Sequence, residues 1–298
     1  MLQYWLFRLF SLLVPLIPPA VAYRLCDWLG AVLCRLLRRQ HRNVRGNLSV
    51  VLGGHADQSR VNALVCKVFR EGAKYYYDTF RVPTLSDSAL ERLVTVEGWE
   101  KLDRCLAKGR GVVVFTGHIG SPALVAQILA VRGYCVTSVV EPVEPESLFE
   151  LMTRVRGSRG IRFVPLGPSS ARELMDALRR NEIVGIVADR DVGGTGVSVD
   201  FFGIETRLPA GPALLALRAG ADLLPAFTYR VGEGRFVGQI WDPIEVRRTG
   251  KLREDVRLNT QEMGRALEKA IRRSPEQWVV FEPIWPEGIS PSGPGVAN

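Results

Sequence analysis

From residue 93 onward, short runs rich in β-branched residues alternate with segments of helical periodicity. This alternation predicts an α/β fold with a mostly parallel central sheet covered by helices on both faces, and we also expect an antiparallel edge. The predicted strands lie at 93–98, 111–116, 134–141, 161–166, 182–189, 221–230 and 234–241. The predicted helices lie at 57–80, 99–109, 122–133, 145–158, 169–180, 211–220 and 251–273.

A chain of 298 residues is long for one domain and short for two, so we expect one α/β domain with a helical extension. We place an N-terminal extension of membrane-interface helices at 1–45, the α/β domain at 46–285 and a disordered tail at 286–298. The apolar run from Leu9 to Pro15 is far shorter than the roughly 20 residues of a spanning helix. We therefore predict no transmembrane helix.

Apolar residues recur at helical spacing before a basic segment in the extension. The apolar positions are Leu25, Trp28, Leu29, Val32, Leu33, Leu36 and Leu37, and the basic ones are Arg35, Arg38, Arg39, Arg42 and Arg45. This pattern is typical of helices that lie in a membrane interface beside anionic head groups. The alternative is a core-packing helix whose basic end complements its own dipole.

The composition also favours an anionic membrane surface, rather than nucleic acid, as the partner. The chain has 39 Lys and Arg residues against 31 Asp and Glu residues, and 47% of it is hydrophobic. Its five cysteines include no Cys-x-x-Cys motif, so we expect neither a zinc site nor a disulfide framework. A peripheral or monotopic protein on the reducing, cytoplasmic face of the cell membrane is the expected localisation.

His118 follows a buried strand and precedes a helix start at Ser121 and Pro122. Open α/β sheets bind ligands at the carboxyl ends of their strands, where this histidine lies. The positive end of the helix disfavours the imidazolium and keeps the ring neutral, as a general base requires. A histidine that only satisfies a loop is the alternative.

Three blocks of the sequence resemble the bacterial lipid A biosynthesis acyltransferase family. They are "TGHIGSPA" around His118, "ADRDVGGTGVSVDFFGIETRLPAGPALLALRAGADLLP" at 188–225 and "SPEQWVVFEPIW" at 274–285. Within the family, the second block looks most like the acyltransferases of phosphatidylinositol mannosides. The resemblance covers most of the chain, from "RRQHRNVRGNL" onward.

The resemblance implies transfer of a fatty acyl group from a thioester to a hydroxyl of a membrane glycolipid or related lipid acceptor. The donor co-substrate would be acyl-CoA or acyl carrier protein, with no metal and no other cofactor. The histidine would remove the hydroxyl proton while a carboxylate orients its ring. A thioester hydrolase is a competing class.

In the family, four residues usually separate the histidine from an Asp or Glu, and the corresponding position holds Ala123 here. We expect Glu141 to replace it, because Glu141 ends the next predicted strand and neighbouring strands lie about 4.8 Å apart. The mannoside acyltransferase branch also resembles this chain in having a strand-end glutamate that works with the histidine. A catalytically silent relative that binds lipid or acyl donor is the alternative that Ala123 suggests.

Further candidates for substrate binding lie near the ends of predicted strands. Arg156 and Arg159 follow Glu141 on a predicted helix and are candidates for binding phosphate, or form a solvated basic face. Asp189, Arg190 and Asp191 end another strand, and the resemblance implies a structural and substrate-positioning role for them. The two aspartates alternate along an extended segment, so we do not expect them to share a metal ion.

The backbone N–H groups of Gly120 and Ser121 are candidate donors to the oxyanion that forms during acyl transfer, because they lie at the helix start. We expect the acyl chain to use an apolar groove lined by 122–132 and 201–220, unless these residues are ordinary core.

Overall fold

The computed structural model describes residues 2–53 and 57–285 of the chain. The predicted tail at 286–298 lies outside the described residues. The α-helices of the described part are α1 (Leu2–Leu13), α2 (Pro19–Leu36), α3 (Arg38–Val51), α4 (Gln58–Arg81), α5 (Asp87–Leu93), α6 (Trp99–Leu106), α7 (Pro122–Val131), α8 (Glu146–Arg156), α9 (Ser170–Arg179), α10 (Gly211–Ala219) and α11 (Leu252–Arg273).

The strands form one large sheet and a separate two-stranded hairpin. They are β1 (Val94–Glu97), β2 (Val112–Thr116), β3 (Val136–Val140), β4 (Arg162–Pro165), β5 (Ile183–Val187), β6 (Val197–Phe201), β7 (Ile204–Leu208), β8 (Asp222–Gly232) and β9 (Arg235–Ile240). The large sheet has seven strands in the order β1-β9-β8-β2-β5-β3-β4, and β6 pairs with β7. The hairpin and α5 were not among the predicted elements.

The fold class is α/β with a mostly parallel sheet, as the sequence predicts. Only β8 and β9 pair antiparallel in the large sheet. This antiparallel step is internal rather than at the edge, because β1 adds to β9 in parallel. The buried faces of β2, β5 and β8 share one core with α9, α10 and α11.

The order of the strands decides which side chains meet at the carboxyl edge of the sheet. β5 lies between β2 and β3, with parallel pairing on both sides. The carboxyl ends of β2 and β3 are therefore two strand spacings, about 10 Å, apart. The residue that follows β5, rather than the one that follows β3, is the immediate neighbour of His118.

The N-terminal helices pack on the α/β domain through one face and leave an apolar face uncovered. Gly30 of α2 approaches α4 so closely that a Cβ there would lie 2.5 Å from the Cα of Arg70. On the other side of α2, Leu25, Trp28 and Leu29 are exposed, and 65% of the Trp28 surface is accessible to solvent. Among the described residues, this face of α2 is therefore not packed in the core.

A buried polar cluster joins α2 to the sheet. The Asp78 carboxylate accepts a hydrogen bond of 2.6 Å from the Tyr23 hydroxyl and pairs at 2.6 Å with Arg230 of β8. Burial raises the pKa of the Asp78 carboxyl, and the charge of Arg230 offsets only part of that effect. The cluster connects the extension directly to β8.

One covalent link contradicts the expectation from the cysteines. Cys34 of α2 and Cys66 of α4 form a disulfide, with their Cα atoms 5.5 Å apart. Sequence spacing cannot reveal it because the two cysteines are brought together only by the packing of the two helices. Cys26, Cys105 and Cys135 are free.

None of the helices in the described part of the chain combines the length and the apolar character needed to cross a membrane.

Candidate active site

His118 lies in the loop that connects β2 to α7. The N-cap of α7 is Ser121 and its first residue is Pro122, as the sequence predicts, although the Ser121 hydroxyl makes no capping bond. The tight turn depends on Gly120, whose φ is +60°. A Cβ at this position would lie 2.4 Å from the carbonyl oxygen of Thr228, so no other residue fits without a backbone shift.

The carboxylate that holds the His118 ring belongs to Asp189. Nδ1 of His118 lies 2.7 Å from Oδ1 of Asp189, and the His118 backbone N–H donates to Oδ2 at 2.8 Å. Because Nδ1 faces a carboxylate, it carries the proton and leaves the lone pair of Nε2 free. Nε2 bonds to no other residue in the part of the chain described, and 32% of the side chain is exposed.

The Asp189 side chain is fully buried, yet its environment favours the ionised form. Burial alone would raise the pKa of this carboxyl. The charge and hydrogen bonds of His118, together with a hydrogen bond of 2.8 Å from Nε1 of Trp278, more than offset burial and lower the pKa. An ionised Asp189 carboxylate stabilises an imidazolium on its partly exposed neighbour His118.

The prediction that Glu141 orients His118 is wrong in this geometry. It assumed that β3 adjoins β2, whereas β5 separates them and brings Asp189 to Nδ1 instead. Glu141 pairs with Arg190 at 3.3 Å, and its side chain is 47% exposed. The resemblance implies a structural and substrate-positioning role for Asp189, and its position at a strand end is the feature of the sequence that could have indicated its contact with His118.

The three arginines that were candidates for substrate binding, Arg156, Arg159 and Arg190, have different surroundings in the structure. Arg190 bridges Glu141 and Glu282, and its Nε is buried without a partner among the described residues. Arg156 has a similarly unpartnered Nε and reaches the Tyr75 hydroxyl at 3.4 Å. Burial raises the pKa of the Tyr76 hydroxyl, and the positive charges of Arg156 and Arg190 each lower it in part.

Arg159 does not share this arrangement, because other residues already use its guanidinium group. It pairs with Asp87 at 2.8 Å and donates to the carbonyl oxygens of Val82 and Leu85. Its contacts hold the chain that precedes α5, which is a structural role rather than the predicted binding of phosphate.

The structure gives Asp191 and Gly120 internal partners too. Asp191 accepts from the Gly196 N–H at 2.9 Å and lies 3.5 Å from Arg207, which closes the glycine-rich turn. Asp189 and Asp191 therefore have separate hydrogen-bond partners. The Gly120 N–H donates to the carbonyl oxygen of Gln277 at 3.1 Å, so it is not free to act as an oxyanion donor.

Ser121 is buried, and its hydroxyl has no hydrogen-bond partner among the described residues. The prediction for Ser121 concerned its backbone N–H as an oxyanion donor, and it stays a prediction. A surface cleft of about 710 Å³ opens beyond Glu141, between Pro142, Phe149 and Pro165 at the carboxyl ends of β3 and β4. The sequence had not indicated this cleft.

The fold and the site are those of an α/β enzyme with a histidine held by a buried carboxylate. The model of the bacterial lipid A biosynthesis acyltransferase family matches residues 1–287. A phosphatidylinositol mannoside acyltransferase of Mycobacterium tuberculosis is 32% identical over 254 residues, which cover 84% of this chain and 78% of that protein.

Two further relatives agree with this match. A phosphatidylinositol mannoside acyltransferase of Mycolicibacterium smegmatis is 32% identical over 73% of this chain and 71% of its own length. The lipid A biosynthesis palmitoleoyltransferase of Escherichia coli is 25% identical over 84% and 80%. The chain belongs to the bacterial lipid A biosynthesis acyltransferase family and is an O-acyltransferase of lipid biosynthesis.

Proposed function

We propose that this enzyme transfers a fatty acyl group from acyl-CoA or acyl carrier protein to a hydroxyl of a membrane glycolipid. The names of the mannoside acyltransferases support a glycolipid of the phosphatidylinositol mannoside class as acceptor. The observation that carries the proposal is the His118 ring, which is fixed at Nδ1 by Asp189 and free at Nε2.

The reaction follows from that arrangement. Nε2 of His118 takes the proton of the acceptor hydroxyl while its oxygen attacks the thioester carbonyl. The resulting imidazolium is stabilised by the ionised Asp189 carboxylate, with which it shares a hydrogen bond of 2.7 Å. When the tetrahedral intermediate collapses, the C–S bond breaks and the imidazolium returns the proton to the departing thiolate.

The Asp189 carboxylate also bears on the catalytically silent alternative. Ala123 lies in the first turn of α7, where its methyl group offers no carboxylate to the histidine. The alternative assumed that His118 would then lack an acidic partner. Because Asp189 occupies Nδ1, the loss of the usual acidic residue leaves the base supported, which favours turnover.

We infer that Arg156 and Arg190 bind an anionic group of a substrate beside the base. Both side chains are partly exposed and carry a permanent positive charge, so their terminal nitrogens can donate to an anionic ligand. Guanidinium groups suit phosphate because they donate two parallel hydrogen bonds. Glu141 is exposed and pairs with Arg190 at 3.3 Å.

We propose that the enzyme acts as a peripheral protein on the cytoplasmic face of the membrane. The exposed apolar residues of α1 and α2, together with the exposed arginines that open α3, form what we call the interface patch. Its members include Trp5, Leu9, Leu12, Leu25, Trp28, Leu36, Arg38, Arg39 and Arg42. Apolar side chains insert below the head groups while the arginines contact anionic lipid.

The test is an assay with radiolabelled acyl-CoA and a membrane lipid extract. We expect a labelled lipid with the unaltered enzyme and none with His118→Ala. Labelled free fatty acid formed without acceptor lipid indicates a hydrolase instead. If acyl-CoA and acyl carrier protein both fail to yield a lipid product while the enzyme still binds them, the silent alternative holds.

A further inference from the structure

We propose that Trp278 is a positioning residue of the active site and acts through Asp189. The inference rests on the proposed role of His118 as the base. Trp278 is 160 residues away from His118 in the chain and lies in the segment that follows α11. Its side chain is 2% exposed, so it does not touch a substrate.

Three donors hold the Asp189 carboxylate. Oδ1 faces the ring of His118, whereas Oδ2 receives both the backbone N–H of His118 and the indole N–H of Trp278, each at 2.8 Å. The two donors on Oδ2 fix the plane of the carboxylate about its Cβ–Cγ bond. Oδ1 is thereby aimed at Nδ1, and the ring is held with Nε2 toward solvent.

The indole is placed by a segment that also holds the histidine loop. The Val279 N–H donates to the His118 carbonyl oxygen at 2.8 Å, and the Gln277 carbonyl oxygen accepts from Gly120 at 3.1 Å. The Gln277 side chain bonds in turn to both the N–H and the carbonyl oxygen of Arg230, at 2.7 and 2.9 Å. Residues 277–279 therefore bond both to the loop that carries His118 and, through Trp278, to the Asp189 carboxylate.

A neutral donor suits this position for an electrostatic reason. A second cation would compete with the imidazolium for the carboxylate, whereas an indole N–H stabilises the ionised form without adding charge. Indole also has no acceptor, so its orientation toward Oδ2 is unambiguous. Removing the N–H leaves the buried carboxylate with a single donor on Oδ2 and freer to rotate.

The first test is Trp278→Phe, which keeps an aromatic ring and removes the N–H. We expect kcat to fall by roughly 10- to 100-fold and KM to change little. Losing one hydrogen bond to a charged group lowers a rate by about this factor when the bond supports the transition state. The matched control is Trp285→Phe. Trp285 is also buried and packs against Trp278 at 6.4 Å, but its N–H has no partner among the described residues.

A double-mutant cycle separates positioning from a structural role. If Trp278 acts through Asp189, Trp278→Phe lowers kcat little further in the Asp189→Asn background. Equal losses in both backgrounds, or an equal loss in Trp285→Phe, overturn the proposal. If Trp278→Phe does not fold, benzothienylalanine at position 278 keeps the shape of the indole without its N–H and supplies the same comparison.

The same experiments distinguish this proposal from the function on which it rests. Absence of a labelled lipid product with the unaltered enzyme contradicts the proposed function, and full activity of His118→Ala contradicts the proposed role of His118 as the base. Loss of activity in His118→Ala, combined with an unchanged kcat in Trp278→Phe, removes only the role of Trp278.

Discussion

The ring of His118 and the carboxylate of Asp189 lie 2.7 Å apart although 71 residues separate them in the chain. Strand β5 makes this possible by lying between β2 and β3, so that its carboxyl end adjoins the histidine loop. The carboxylate that contacts the histidine is thus near it only in space, whereas Ala123 occupies the nearby position in sequence.

Asp189→Asn is expected to lower kcat by roughly 10³- to 10⁴-fold, because an amide neither fixes the ring in the same tautomer nor stabilises the imidazolium. Glu141→Gln, the matched change of the other carboxylate, is expected to have a much smaller effect on kcat. Steady-state kinetics of the two purified variants makes the comparison. A larger loss in Glu141→Gln would return the orienting role to Glu141.

Arg156→Gln is expected to raise KM for a phosphate-bearing substrate about tenfold or more, since a charge-assisted hydrogen bond is lost. Arg159→Gln is the control, because its guanidinium already contacts Asp87 and two carbonyl oxygens. It is expected to lower the melting temperature and leave KM unchanged. A raised KM in Arg159→Gln, together with an unchanged KM in Arg156→Gln, contradicts the assignment of Arg156 to substrate binding.

Replacing Leu25 and Trp28 together by Ser is expected to weaken binding to anionic vesicles by roughly tenfold or more, because apolar insertion is lost. Leu252→Ser alters a similarly exposed leucine outside the interface patch and should bind as the unaltered enzyme does. Co-sedimentation with phosphatidylglycerol vesicles at several salt concentrations measures both. Unchanged binding of the double variant excludes the patch as the membrane contact.

Acid is expected to reduce the stability of the folded chain through Asp189. Burial opposes ionisation, but His118 and Trp278 lower the pKa of this carboxyl below its ordinary value. Its contribution to stability is therefore present above the unfolded pKa of about 3.9 and is lost as pH falls through the folded value. Urea unfolding at pH 5 and pH 3.5 should show a smaller acid-induced loss in Asp189→Asn, and equal losses would contradict this.

Reduction of the Cys34–Cys66 disulfide is expected to destabilise the chain by about 4 kcal/mol, since the bond closes a loop with a sequence separation of 32. Urea unfolding with and without dithiothreitol measures the change. Cys34→Ser should reproduce the reduced state, whereas Cys135→Ser, which alters an exposed free cysteine, should not. Five free thiols under denaturing, non-reducing conditions would mean that the bond does not form.

The sequence by itself determined the local elements and the class of fold. Six of the seven strands of the large sheet fall within the predicted runs, and β8 extends two residues beyond its run, because burial on both faces demands continuous apolar residues there. Ser121 and Pro122 mark the start of α7 by local chemistry alone, so His118 could be placed at the carboxyl edge of the sheet. The exposed apolar face of α2 likewise follows from its periodicity.

Only the tertiary structure decided which groups meet at that edge. Strand order depends on how the helices pack over the whole sheet, and no local pattern reveals that β5 inserts between β2 and β3. The pairing of Asp189 with His118, the indole of Trp278 behind it and the Cys34–Cys66 bond all join segments far apart in the chain. Hydrogen bonds and disulfides depend on distances in space, and those distances are set by the fold.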